Sequence, residues 1–123
     1  MSYADFLHAV IETGIAGARA DYTGPANERK LAGSIAGFEL CRGQSPELLV
    51  LTLMAAEQDL HRNRQNGISP AEYWFWNCRA VEVEWVCNVV SAALRLPLRP
   101  YLPTVRAVLH ASKILGASTI DVN

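Results

Sequence analysis

Between Pro70 and Leu96 the chain runs without a glycine or proline inside it. That is far longer than an ordinary strand and suits one long helix. The residues that precede it, Ser69-Pro70-Ala71-Glu72, spell a helix start. Ser69 would accept from the backbone N–H of Glu72, and the Glu72 carboxylate would reach back to the N–H of Ser69. Pro70 would sit in the first turn, where its missing N–H has no partner anyway. The stretch holds all three tryptophans of the chain. As a helix it puts Trp74, Cys78, Val81, Trp85, Val89 and Ala92 on one face and Trp76, Ala80, Val83, Cys87, Val90 and Leu94 on another, so the fold should be built around it. A rival reading exists at Val81-Glu82-Val83-Glu84-Trp85, which alternates with period two like a half-buried strand. The helix is favoured because a strand needs a partner and no other segment reads as one.

The other elements follow from periodicity and punctuation. Tyr3, Phe6, Leu7, Val10 and Ile11 recur at helical spacing and predict a first helix to about Ala18, with Asp5, His8 and Glu12 on its opposite face. A second helix is expected from about Pro25 to Arg42. Gly33 and Gly37 lie inside it, each unfavourable to a helix by about 1 kcal/mol, which suggests close approach of a neighbouring helix. Gly43 ends it, and Ser45-Pro46-Glu47 starts a third helix whose front, Leu48 to Ala56, is apolar almost all round and so is expected to be buried. From Glu57 to Asn66 only Leu60 is apolar, so that half should project into water, and Gly67 stops the helix. Pro97, Pro100 and Pro103 predict an extended connection. Thr104 to Leu115 then predicts a last amphipathic helix with Val105, Val108, Leu109 and Leu115 facing inward, ended by Gly116, with residues 117–123 a loose tail. The expected architecture is a single all-α domain over residues 1–123, a bundle of four to five helices around the Trp-bearing one.

Composition narrows the function classes. Half of the residues are apolar and a fifth are charged, which is globular composition. A net charge of −1 provides no field to gather polyanions, so nucleic acid is not the default partner. No run approaches the roughly 18 apolar residues of a membrane span, and the first residues lack the pattern of a signal peptide. Cys41, Cys78 and Cys87 are an odd number without CxxC spacing, which points to free thiols and a cytoplasmic setting.

The candidates for chemistry are few. Glu57 and His61, four apart on one helical face, are the best metal-ligating pair, with Glu39 or Glu82 as conceivable additions from neighbouring helices. The repeated Glu-x-x-His pattern of di-iron bundles is missing. Asp5, His8 and Glu12 form a second acid and imidazole cluster on a solvated face. The cysteines lack the surroundings of a catalytic thiol, and GxSxG, Walker and GxGxxG motifs are absent. Arg79 and Glu82, three apart, suit an ion pair, and Asn77, Glu84, Asn88, Ser91 and Arg95 form a narrow polar stripe. The cations His61, Arg62 and Arg64, and Arg106, His110 and Lys113 on the outer side of the last helix, are too few to argue for DNA reading. Tyr73, Trp74, Phe75 and Trp76 point all round their helix and cannot share one core, so Tyr73, Trp74 and Trp76 are the candidate partner-binding surface, on a homodimer or a second protein.

The segments Leu31-Ala32-Gly33-Ser34-Ile35-Ala36-Gly37-Phe38-Glu39, Tyr73-Trp74, Cys78-Arg79 and Glu84 to Leu94 resemble small helical proteins of bacterial phages and prophages, over roughly Leu31 to Gly116. That group has no settled activity, so no residue roles carry over. The resemblance implies an accessory protein that binds and modulates a host or phage protein. The expectation is thus a non-catalytic interaction module with no cofactor. A small helical metal-binding protein or metal-dependent enzyme is the alternative, and a nucleic-acid-binding accessory protein comes third.

Overall fold

A computed structural model describes residues 1–95 and 104–121. The described residues are helical, with no strand among them, and five helices pack into a compact bundle. Helix α1 spans Tyr3–Asp21, α2 Glu28–Leu40, α3 Pro46–Gln65, α4 Pro70–Leu94 and α5 Val105–Leu115. A short 3-10 turn, Pro25–Asn27, leads into α2, so the segment expected as one helix from Pro25 is broken at its start. The prolines at 97, 100 and 103 lie outside the described residues.

Helix starts are set by side-chain caps: Ser2, Ser45, Ser69 and Thr104 each accept from a backbone N–H in the first turn. The reciprocal half of the capping box at α4 does not form, because the Glu72 carboxylate pairs with Arg29 of α2 at 3.0 Å. Helix α4 is the hub, packed most extensively on α2 and α3 and covered toward its C-terminus by α5. Its strand-like stretch is helical throughout, with Val83, Val86, Cys87, Val89 and Val90 fully buried. Phe6, Val10 and Ile11 of α1, Phe38 of α2, and Leu49 and Leu53 of α3 complete the core.

The two glycines of α2 explain how it reaches α4. A methyl group at Gly33 would overlap the Phe75 carbonyl oxygen, and one at Gly37 would overlap that of Arg79. Both pairs are four residues apart, so one turn of each helix lies backbone against backbone.

Two expectations about phase are corrected. In α5, Ala107 and Ala111 face the core, whereas Val105, Val108 and Leu109 are exposed. The small pair lets α5 lie close to α4, and of the outer cations His110 is partly buried against the Trp85 ring at 5.4 Å, while Arg106 and Lys113 stay exposed, the Arg106 guanidinium 6.0 Å from the centre of that ring. In α3, the apolar front is buried on one side alone, through Leu49, Leu53 and Ala56; Leu48, Leu51 and Met54 stay open. Residues 117–121 do not trail as a loose tail, since Ile120 enters the core and the N–H of Asp121 donates to the Met1 carbonyl at 3.0 Å.

Candidate functional site

The close approach at Gly37 has an electrostatic result. A methyl there would also lie 3.1 Å from the Glu82 Cβ, so the seam that brings the backbones together carries the Glu82 side chain between α4 and α2. Burial there pushes the Glu82 carboxyl up to about 7; the neighbouring Ser34 hydroxyl works against the rise, and the charge of Asp21 adds to it. The expected Arg79–Glu82 pair does not form. Arg79 points the other way, to Asp59 of α3 at 3.0 Å, and Asp59 also holds Arg62 at 2.7 Å. Among the described residues neither Glu82 nor Asp21 belongs to an ion pair.

Glu82 opens into a cleft of about 360 Å³ between the end of α1 and the middle of α4. Gly17 leaves its floor free of a side chain, the buried Phe38 ring packs over Gly14 and closes the base, Trp85 supplies an aromatic wall, and Asp21 and Tyr22 stand at the end of α1. Burial raises the Tyr22 phenol, with the adjacent Cys78 adding to the effect; burial likewise raises the Cys78 thiol. Ser34 is fully buried beside this group, where its hydroxyl faces both the Glu82 carboxyl and the Cys78 thiol and works against the rise of each. Sequence reasoning missed this site. Its signal was the polar Ser34 between two glycines on the face of α2 that must approach another helix.

The residues singled out in the sequence are placed as follows. Glu57 and His61 are both exposed on α3 and are not joined by Glu39 or Glu82: Glu39 binds Arg42, and Glu82 faces α1 and α2. Among the described residues no three His, Cys, Asp or Glu side chains gather closely enough to hold a metal ion. Around His8 and Glu12, the place a cation would take is filled by the Arg42 guanidinium, 2.7 Å from Glu12, 2.8 Å from Glu39 and 3.4 Å from His8. The cysteines are free and buried.

The four consecutive aromatics divide around α4, and each ring carries a cation: Arg64 on Tyr73, Lys30 on Trp74, Arg29 on Phe75 and Arg79 on Trp76. Trp74 is 41 % exposed, and Tyr73 and Trp76 are partly buried. Two more exposed apolar groups stand out. Val81 lies two turns beyond Trp74 on the open side of α4, and Leu48, Leu51 and Met54 on α3 are 49 %, 59 % and 49 % exposed. A second hollow, of about 490 Å³, lies between the start of α1 and the loop after α2, walled by Tyr3, Leu7, Ile11 and Pro46. The Tyr3 hydroxyl closes one side by donating to the Gln44 carbonyl at 2.7 Å. No helix among the described residues is long and apolar enough to cross a membrane. No family model, curated protein or solved structure matches the chain.

Proposed function

We propose that this protein is a non-catalytic interaction module that self-associates through the outer face of α3. The observation that carries the reading is the row of Leu48, Leu51 and Met54, large apolar side chains about half exposed on a helix whose other face is fully packed. Such a row is what helix-to-helix association buries. The charges bordering it favour a second copy laid antiparallel. Glu47 stands at the N-terminal end of the row and His61 and Arg62 at the other, so an antiparallel partner places acid against base at both ends.

The exposed face of α4 at Trp74 and Val81, flanked by Tyr73 and Trp76, remains open in such a dimer and is the proposed surface for a second protein. A role as a phage-type accessory factor that binds and modulates a host protein would use that face.

Sedimentation velocity across the micromolar range tests the self-association. A concentration-dependent dimer is expected for the native chain, abolished by Leu51→Glu and retained in Trp74→Ala. A monomer at every concentration, or a dimer indifferent to Leu51→Glu, would refute the α3 contact.

A further inference from the structure

We infer that the cleft between the end of α1 and the middle of α4 is a binding site for an organic ammonium ion carried on a flat apolar body, with Glu82 and Asp21 as its counter-charges, Trp85 as its aromatic wall and Phe38 at its base. The volume, about 360 Å³, lies within the usual range of small-molecule sites, about 300–1,000 Å³.

The charge pattern gives the ligand its sign. Two carboxylates face one space with no cation of the chain paired to either among the described residues. Asp21 is also the last residue of α1, where the partial negative charge of the helix end disfavours a carboxylate. Folding has thus collected two acids and a negative helix end around a hollow, an arrangement that a bound cation would relieve.

The walls give the ligand its body. Aromatic faces attract an ammonium group and pack a flat hydrocarbon. Gly17 keeps the floor open, since a methyl group there would meet nothing within 4 Å. Arg106 also lines the cleft, over Trp85 at the rim, but one cation against two carboxylates leaves the hollow net negative, so the ammonium end of the ligand belongs beside Glu82 and Asp21.

The site should lose its ligand in acid. Glu82 takes up its proton below about pH 7 and ceases to be a counter-charge. The other ionisable groups around it are Asp21 and Tyr22 from α1, Lys30 from α2, Cys78 on α4 and Arg106 from α5. Tyr22 and Cys78 are both raised by burial and stay neutral.

Titration of the full chain with tryptamine, followed by amide chemical shifts, is the test, with indole-3-acetate as the probe of like body and opposite charge. At about pH 8, saturable binding of tryptamine with shifts at Gly14, Gly17 and Trp85 is expected. It should weaken roughly tenfold or more at about pH 5, in Glu82→Gln and in Asp21→Asn. The Asn variant keeps the test open if the Gln variant fails to fold. No saturable binding, equal binding of indole-3-acetate, equal shifts with magnesium ions, or unchanged affinity in the folded variants would overturn the assignment.

Discussion

Gly37→Ala should destabilise the protein by about 2 kcal/mol, although alanine is the better helix former. The added methyl would meet the Arg79 backbone, lying 3.1 Å from its Cα and closer still to its carbonyl oxygen. Carbon atoms prefer separations of about 3.5–4.0 Å, so α2 and α4 would have to part by about half an ångström or more. Overpacking of this kind costs about 1–3 kcal/mol, and the upper end applies where the obstacle is backbone that cannot turn aside. Improved helix propensity returns about 1 kcal/mol. Gly33→Ala meets the Phe75 backbone in the same way, 2.9 Å from its carbonyl carbon, and should behave alike. Gly17→Ala is the control: its methyl has nothing within 4 Å, so it should stabilise by about 0.5–1 kcal/mol. Urea unfolding measured by circular dichroism separates the cases, and in thermal melts each kcal/mol is worth roughly 3–6 °C for a chain of this size. Stabilisation by Gly37→Ala equal to that of Gly17→Ala would refute backbone contact between α2 and α4.

Three further outcomes are expected. The folded state holds the Glu82 proton up to about pH 7, whereas the unfolded chain releases it near 4.5. The stability this group contributes is therefore complete below about pH 4.5 and lost as pH rises through 7; melting curves of Glu82→Gln should lack that fall and exceed the native chain at about pH 8. Burial pushes the Cys87 thiol up to about 12 and raises those of Cys41 and Cys78, so a thiol reagent should find almost nothing in the native protein and all three sulfurs in denaturant. Ser69→Ala removes the cap on Glu72 N–H and should cost about 1 kcal/mol by urea titration, whereas His8→Ala, on an exposed face, should change stability by less than about 0.5 kcal/mol.

What was legible in the sequence was local. Serine caps, glycine stops and the unbroken run of α4 act within a few residues of themselves, and the helices start and end close to where these signals stand. Even the close approach of α2 could be read, because glycines inside a helix are unfavourable unless something lies against them. Phase was harder wherever a helix offers apolar groups on more than one side. In α5 the periodic Val105, Val108 and Leu109 competed with Ala107 and Ala111, and contact with α4 selected the smaller pair because it permits a shorter distance. In α3 a front that is apolar all round exceeds what one neighbour can cover. The Glu82 cleft was hidden for another reason. Arg79 at i−3 was a sufficient local partner, and nothing nearby in the chain shows that Asp59 on α3 takes it instead.

The seam and the cleft are one construction. Gly37 brings α2 so close that Glu82 loses solvent, and Arg79, its neighbour along the helix, is committed to the opposite side. The ionised carboxylate is therefore a source of instability that closer packing of α2 would increase. Removing it by Glu82→Gln should make the chain more stable at neutral and higher pH, which is the usual relation between a functional group and the fold that holds it. An ammonium ligand would offset the same penalty without mutation. Its stabilising effect should therefore grow from about pH 5 to about pH 8, opposite in sign to the pH trend of the free protein. That opposition is a property of a carboxylate held for a ligand; a Glu82 buried for packing alone would show the falling trend and no ligand-dependent recovery.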